Sequence, residues 1–468
     1  MIERAFGLIA DLYELTMAAA YFENGLRTRA IFELFIRKLP KHRSFLIAAG
    51  LEQALEYLAE LRFSSDEIDY LREHPAFRKV SREFFDYLAK FRFSGDVWAM
   101  PEGTAAFEME PLLRVTAPII EAQIIETFLL STMNFQTMIA TKAARIVSSA
   151  RGRSIIEFGT RRAHGTEAGL LAARAAYIGG CIGTSNVEAG YLFGIPTFGT
   201  LAHSFIMSFE NEDDAFRAFL KVFPNGATIL VDTYDTIAAV KRLTTQFPKA
   251  IPAVRLDSGN LSDLSKQVRD ILDKAGMTET RIFASGDLNE SRIAELISSG
   301  AMIDSFGVGT ELATSYDAPA LSAVYKLAGL EENGHVEMKM KLSPQKATYP
   351  GPKQVWRFTD HSGKHTRDVI TLADEAAPEK NASSTESARR LLEPVMNQGR
   401  IIDGFAGKNV EGRFEGLTRA RDRAKEEQDR LPEALMSLDS GATYPVSFSD
   451  RLNAERDILD RRIKNRLG

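Results

Sequence analysis

Between residues 150 and 310, short apolar runs alternate with longer stretches whose apolar positions recur at helical spacing. The runs are SIIEF (154–158), CIG (181–183), IPTFG (195–199), ATILV (227–231), PAVRL (252–256), RIFAS (281–285) and IDSFG (303–307). Helical patterns such as TEAGLLAARAAYI, EDDAFRAFLKVF, LSDLSKQVRDILDKAG and NESRIAELISSG lie between most of them. Repeated strand and amphipathic helix predict parallel βα units, because parallel neighbours need a crossover long enough to hold a helix. The seven runs predict an α/β fold built on an irregular seven-stranded parallel β/α barrel, although a doubly wound open sheet gives the same string.

The flanks read differently. LYELTMAAAYFENG predicts a helix closing at Gly25, AIFELFIRKLP a strand before Pro40, and 118–149 a long, mostly buried helix that begins at Pro118. After 335 the chain becomes more polar. KMKLSPQKATYPGPKQVWRF and DHSGKHTRD read as strands with exposed turns, ESARRLLEPVMNQG as a short helix, and GLTRARDRAKEEQDRL as a helix whose charges form a solvated face. The division expected is an N-terminal α+β domain (1–117), a barrel with its lead-in helix (118–335), and a C-terminal extension (336–468) that partly packs back on the N-terminal domain.

Composition narrows the function classes. A chain of 468 residues exceeds one hydrophobic core. Its 58 basic and 63 acidic residues leave a net charge of -5, which argues against a nucleic-acid surface and leaves anionic small molecules open. Cys181 is the only cysteine, so an intrachain disulfide and a cysteine-rich zinc site are both excluded. No stretch reaches the roughly 18 apolar residues needed to cross a bilayer, and the start lacks a secretory profile. A soluble cytoplasmic protein without membrane partners is expected.

Each predicted strand is followed by a polar or glycine-rich signature: EFGTRRAHG (157–165), GTSN (183–186), GTLAHS (199–204), DTYDT (232–236), RLDSGNLSD (255–263), ASGD (284–287) and GVGTEL (307–312). In a parallel barrel all of these lie at the C-terminal end of the strands, where barrel enzymes place their sites. Glycines with hydroxyls after the last two strands suit a phosphate. Arg161, Arg162 and Arg255 supply forked donors for carboxylate or phosphate, or for structural ion pairs. Asp257 and Asp287 could order ribose hydroxyls or Mg²⁺, or cap the helices that follow. His203 is one of only seven histidines and borders an apolar run. The chain has no HExxH, CxxC, GxSxG or early GxGxxG, which argues against zinc hydrolases, serine hydrolases and NAD-dependent dehydrogenases.

Six of these signatures, all but DTYDT, in this order, with DLYELTM (11–17) before them and KATYPGPKQVWR (346–357) after them, make the chain similar to the nicotinate phosphoribosyltransferases, a type II phosphoribosyltransferase family. ILVDTYDT resembles the acid-pair loop of the other large phosphoribosyltransferase class, but Thr233 stands where its second acid belongs. The family resemblance implies ATP-assisted condensation of nicotinate with 5-phosphoribosyl-1-pyrophosphate, with Mg²⁺, in a homodimer with sites at the interface. It implies that Tyr13 stacks on the pyridine ring across that interface and Phe158 covers the other face. Arg161 and Arg255 would sit near the nicotinate carboxylate and the phosphoribosyl group, and Asp257 would hold the ribose. Ser285, Gly286, Asp287, Gly307, Gly309 and Thr310 would hold the 5-phosphate, and His203 would be phosphorylated by ATP. Ser185, where nicotinamide-using relatives carry an acid, favours nicotinate. The alternatives are a nicotinamide or quinolinate phosphoribosyltransferase, and a catalytically silent nucleotide-binding barrel.

Overall fold

The structure, a computed structural model, describes residues 6–224, 227–247, 251–343, 348–378, 386–405, 415–438 and 441–467. Two compact units emerge: Met1–Met138 with Ala320–Gly468, and Ile139–Pro319.

The second unit is built on a six-stranded sheet in the order Gly183–Thr184, Ser154–Glu157, Ser305–Val308, Arg281–Ala284, Ala253–Leu256, Thr228–Leu230. Every pairing in it is parallel. The helices between the strands bury one stripe each; in Leu261–Lys274 the stripe is Leu261, Ser265, Val268 and Leu272. Five helices of this unit start on an Asn or Asp whose side chain accepts from the backbone three residues on: Asn186, Asn211, Asp235, Asn260 and Asn289. Such a cap satisfies one of the orphan donors of the first turn.

A closed seven-stranded barrel is not what forms among the described residues. The run 195–199 makes one bridge, Thr197 opposite Thr184, with Thr184 N–H donating to Pro196 O (3.0 Å) and Phe198 N–H to Thr184 O (2.9 Å). Pro196 has no N–H with which to extend the ladder toward Ile182, so the segment stays a bridge and the sheet keeps six strands.

The first unit carries a seven-stranded sheet in the order His335–Met338, Ala323–Glu332, Arg29–Ile36, Pro111–Pro118, Asp96–Ala99, Glu393–Asn397, Arg400–Ile401, and a second sheet of Ser387–Arg390, Lys353–Thr359, His365–Leu372 and Val446–Phe448. The first of these pairs antiparallel throughout. Residues 344–347, inside one stretch read as strand, lie outside the described residues. The helix expected over ESARRLLEPVMNQG is instead the two strands Ser387–Arg390 and Glu393–Asn397. Leu391, Leu392, Val395 and Met396 are all buried, and their spacing would suit a helix face, but pairing with Asp96–Ala99 decides the outcome. Pro394 was the local warning, since it would break a helix interior at a cost of about 3 kcal/mol. The long stretch 118–149 forms two helical segments, Ile119–Ile124 and Glu126–Ser149, with Ile125 between them. The charged helix Glu415–Arg430 keeps its solvated face but buries Leu417, Ala420, Ala424 and the acid Glu427, which accepts from Arg357 Nη1 at 2.5 Å. Among the described residues no helix is long and apolar enough to cross a membrane.

Candidate active site

The parallel strands of the second unit end together, and the first turn is organised by a buried acid. Glu157 is fully buried; it accepts from Gly159 N–H and from Thr184 Oγ1 (2.5 Å), while Ser185 N–H donates to its backbone oxygen (2.9 Å). One carboxylate thus fixes two neighbouring turns. Burial raises the Glu157 pKa, and the two hydrogen bonds oppose the rise. The Phe158 ring lies 5.4 Å from that of Phe283. Gly307 makes room for both rings, because a Cβ there would stand 2.6 Å from Phe283 Cζ and 2.8 Å from Phe158 Cδ2. After Gly159 a short 3₁₀ turn, Thr160–Arg162, leaves Arg161 and Arg162 exposed, without a side-chain partner among the described residues.

Arg255 is the hub. Its Nε donates to Ser285 Oγ (2.8 Å), Nη1 to Thr200 Oγ1 (2.6 Å) and to Leu201 O (3.3 Å), and Nη2 to Asp257 Oδ1 (2.7 Å). A guanidinium carries five donors, so this set nearly exhausts it and locks its plane. Its Cζ stands 5.9 Å from the Phe158 ring centroid. Asp257 also accepts from Ser285 Oγ (2.5 Å). Burial alone would raise the Asp257 pKa, but the Ser285 hydrogen bond, the Arg255 guanidinium and nearby His203 outweigh it and hold the pKa below the usual range. Asp257 therefore stays an anion, and it is not a cap: Asn260 does that work.

His203 opens the short helix His203–Met207 and keeps 42% of its side chain exposed. Its Nδ1 lies 3.2 Å from Thr233 Oγ1, and its Nε2 faces Asp257 Oδ2 at 3.8 Å, beyond hydrogen-bond length. Asp232, at the next strand end, accepts from Asp257 N–H (2.9 Å) and Ser258 Oγ (2.6 Å) through Oδ2, while its buried Oδ1 has no hydrogen-bond partner. The turn at 285–287 is equally constrained. Gly286 has φ +95°, a Cβ on it would collide with the Asp257 carbonyl, and Asp287 is itself at φ +44°. Asp287 caps nothing either, since Asn289 is the cap of the following helix.

A cluster of this composition on this scaffold has relatives. Models of the nicotinate phosphoribosyltransferase N-terminal domain, family region and C-terminal domain match residues 8–134, 153–344 and 352–455. A nicotinate phosphoribosyltransferase of Mycobacterium tuberculosis is 45% identical over 456 residues, covering 96% of this chain and 92% of that one. The chain belongs to the nicotinate phosphoribosyltransferase family. The Bacillus subtilis nicotinate phosphoribosyltransferase is 44% identical over 87% of this chain and 83% of its own. The crystal structure of human nicotinic acid phosphoribosyltransferase superposes with a TM-score of 0.83 at 28% identity, over 97% of this chain and all of that one (100%).

Within the family frame, the second unit brings Phe158, Arg255, Asp257 and Ser285 into one contact network, with His203 at its edge. Ser185 is tied to it through Glu157. Gly307 lies under Phe158, and Gly309 N-terminally flanks the turn Thr310–Ala313. Tyr13 belongs to the first unit, on the helix Leu12–Glu23, with 45% of its surface exposed. Its hydroxyl is pushed well above the ordinary phenol range by burial and by Glu126 and Glu14. Thr200, Thr233, Asp232 and Glu157 are partners that reading the sequence did not select. Their signal was present, since all four stand in or beside strand-end signatures, but which of them face His203 or Arg255 is not a local property.

Proposed function

We propose that this protein transfers the 5-phosphoribosyl group of phosphoribosyl pyrophosphate to nicotinate, giving nicotinate mononucleotide and pyrophosphate in NAD salvage, with ATP consumed through a phosphohistidine at His203. The observation that carries this reading is the arrangement around His203: an accessible imidazole held through Nδ1 by Thr233, with Nε2 unbonded beside the Arg255–Asp257–Ser285 network. Membership of the family supplies the substrate class.

The chemistry asks for positioning rather than proton transfer. The pyridine nitrogen bonds to C1 of the ribosyl group as the C1–O bond breaks and its electron pair leaves on pyrophosphate, so no general base is required. Phe158 offers one ring face to the substrate, and Tyr13 of a second copy the other, which makes the enzyme a homodimer. Exposed Arg161 is free to pair with a carboxylate or phosphate. Arg255, with most of its donors engaged, orients Asp257 toward the ribose hydroxyls and contributes its remaining charge. Ser285, Gly286, Asp287, Gly307, Gly309 and Thr310 hold the 5-phosphate. Ser185 places no acid beside the ring, which suits a carboxylate better than an amide.

Mg²⁺ fits the anionic side of the cluster: Asp232, whose Oδ1 has no partner, and Asp257 are the carboxylates that would hold it together with substrate oxygens. When bound, it would neutralise charge on the leaving pyrophosphate. At His203 the unbonded Nε2 accepts the γ-phosphoryl group of ATP as the bond to ADP breaks. The phosphohistidine is later hydrolysed, water taking the phosphoryl group as phosphate and freeing the imidazole.

The test is chromatographic detection of nicotinate mononucleotide with and without ATP, using wild type and His203→Ala. Product stimulated by ATP in wild type, with only slow ATP-independent product in His203→Ala, is expected. A mutant with full ATP coupling overturns the phosphohistidine role. Product from nicotinamide or quinolinate but not from nicotinate overturns the substrate.

A further inference from the structure

Glu290 and Glu311 stand in the first turns of Glu290–Ser298 and Thr310–Ala313, the helical segments that follow the turn at 285–287 and the strand end and turn at 307–309. Their carboxylates converge on one ammonium. Lys142, carried by the helix Glu126–Ser149, is 1% exposed, and its Nζ lies 2.6 Å from Glu290 Oε2, 2.8 Å from Asp317 Oδ1 and 3.5 Å from Glu311 Oε2. Arg145, one turn further along, adds a contact from Nε to Glu290 Oε1 at 3.3 Å. An ammonium has three donors in a compact head, and three carboxylates meet it here.

The placement matters because the two strands leading into these turns stop pairing with each other before the phosphate-binding residues begin, Gly307 and Val308 pairing with Ile156 and Glu157 instead. The strands Arg281–Ala284 and Ser305–Val308 are in register only at Phe283 opposite Ser305 and Ala284 opposite Phe306. Past Ala284 no ladder bond between these two strands fixes one loop against the other. A buried salt bridge is weak evidence for stability as such, but one that specifies the mutual position of two elements has a use.

We propose that Lys142 is a positioning residue for phosphoribosyl pyrophosphate: by gripping Glu290 and Glu311 together it sets the spacing of the two loops that receive the 5-phosphate. This rests on the phosphate reading of residues 285–287 and 307–310. Lys142 touches no substrate; it acts through the first turns that close the loops. Its effect reaches the Phe158–Arg161 turn only secondarily, through the packing of Gly309 and Ala313 against Gly159, so the nicotinate side of the site should respond less.

The experiment is steady-state kinetics on full-length Lys142→Arg, Lys142→Met and Glu311→Gln beside Thr310→Ala, with a thermal melt of each. Misplacing a binding group by a fraction of an ångström changes binding strongly, so Lys142→Met and Glu311→Gln should raise KM for phosphoribosyl pyrophosphate roughly tenfold, with KM for nicotinate within about twofold of wild type. Lys142→Arg, which keeps the charge in a larger planar head, should show a smaller rise. Glu311→Gln, at a partly exposed partner, keeps the test alive if Lys142→Met does not fold. A lowered melting temperature with KM for phosphoribosyl pyrophosphate unchanged in every Lys142 and Glu311 variant, while Thr310→Ala raises it, overturns the positioning role alone. If Thr310→Ala leaves it unchanged as well, the phosphate reading of the loops has failed, and the proposal falls with it.

Discussion

Replacing Arg255 by lysine keeps the charge and removes the fork. The guanidinium reaches Ser285 (2.8 Å), Thr200 (2.6 Å), Leu201 O (3.3 Å) and Asp257 (2.7 Å) at once. An ammonium on a shorter stem reaches one or two of these acceptors, and Asp257 is the one its charge selects. Two or more bonds are then unmade, each worth about 1.5–3 kcal/mol net when one partner is charged. The site is only partly closed, with Arg255 at 11% and Asp257 at 28% side-chain exposure, so water replaces some of what is lost. A net loss of about 2–4 kcal/mol in the ordered site follows, and at 1.4 kcal/mol per factor of ten this lowers kcat/KM roughly thirty- to several-hundred-fold. The melting temperature should fall by several degrees as well, because the bonds lost belong to the folded state. The assay is initial-rate formation of nicotinate mononucleotide with each substrate varied in turn. An Arg255→Lys enzyme within about threefold of wild type would refute the claim that the fork organises the site.

Two further substitutions probe the scaffold. Gly286→Ala forces a Cβ onto the Asp257 carbonyl at φ +95° and should lower both the melting temperature and kcat/KM; unchanged values would show that the turn relaxes freely. Glu14 is buried on the helix Leu12–Glu23, and its Oε1 accepts from Thr127 Oγ1 (2.5 Å) while its Oε2 has no partner. Burial, assisted by Glu126 and Asp11 and opposed by Thr127, lifts its pKa from 4.5 to about 7. The folded state therefore keeps a proton that the unfolded state releases, and the stability this confers is complete below the unfolded value and lost as pH rises through about 7. Glu14→Gln, which keeps the acceptor and cannot ionise, should raise the melting temperature at pH 8 and leave it nearly unchanged at pH 4.5. An equal effect at both pH values would refute the assignment.

The amino-acid sequence alone determined where the strands of the second unit lie and which residues stand at their ends, because strand and helix periods are local and each βα turn carries its own glycines, hydroxyls and caps. It also contained the family's motifs in order, and with them the choice of Arg255, Asp257, His203 and Ser285. It did not decide whether Asp257 or Asn260 caps the helix that follows, since both residue types cap well; the backbone places Asn260 at the cap and frees Asp257 for Arg255. Nor did it show that 195–199 would stop at one bridge, or that 386–397 would be strand, because neither outcome is visible without the partner segment. The partners of the central side chains are the least legible of all: Thr200 is 55 residues from Arg255, Thr233 is 30 from His203, and Asp232 is 25 from Asp257. Each such contact depends on which strands become neighbours and how the loops beyond them fold. Burial and packing among distant segments settle that order, and no period along the chain records it.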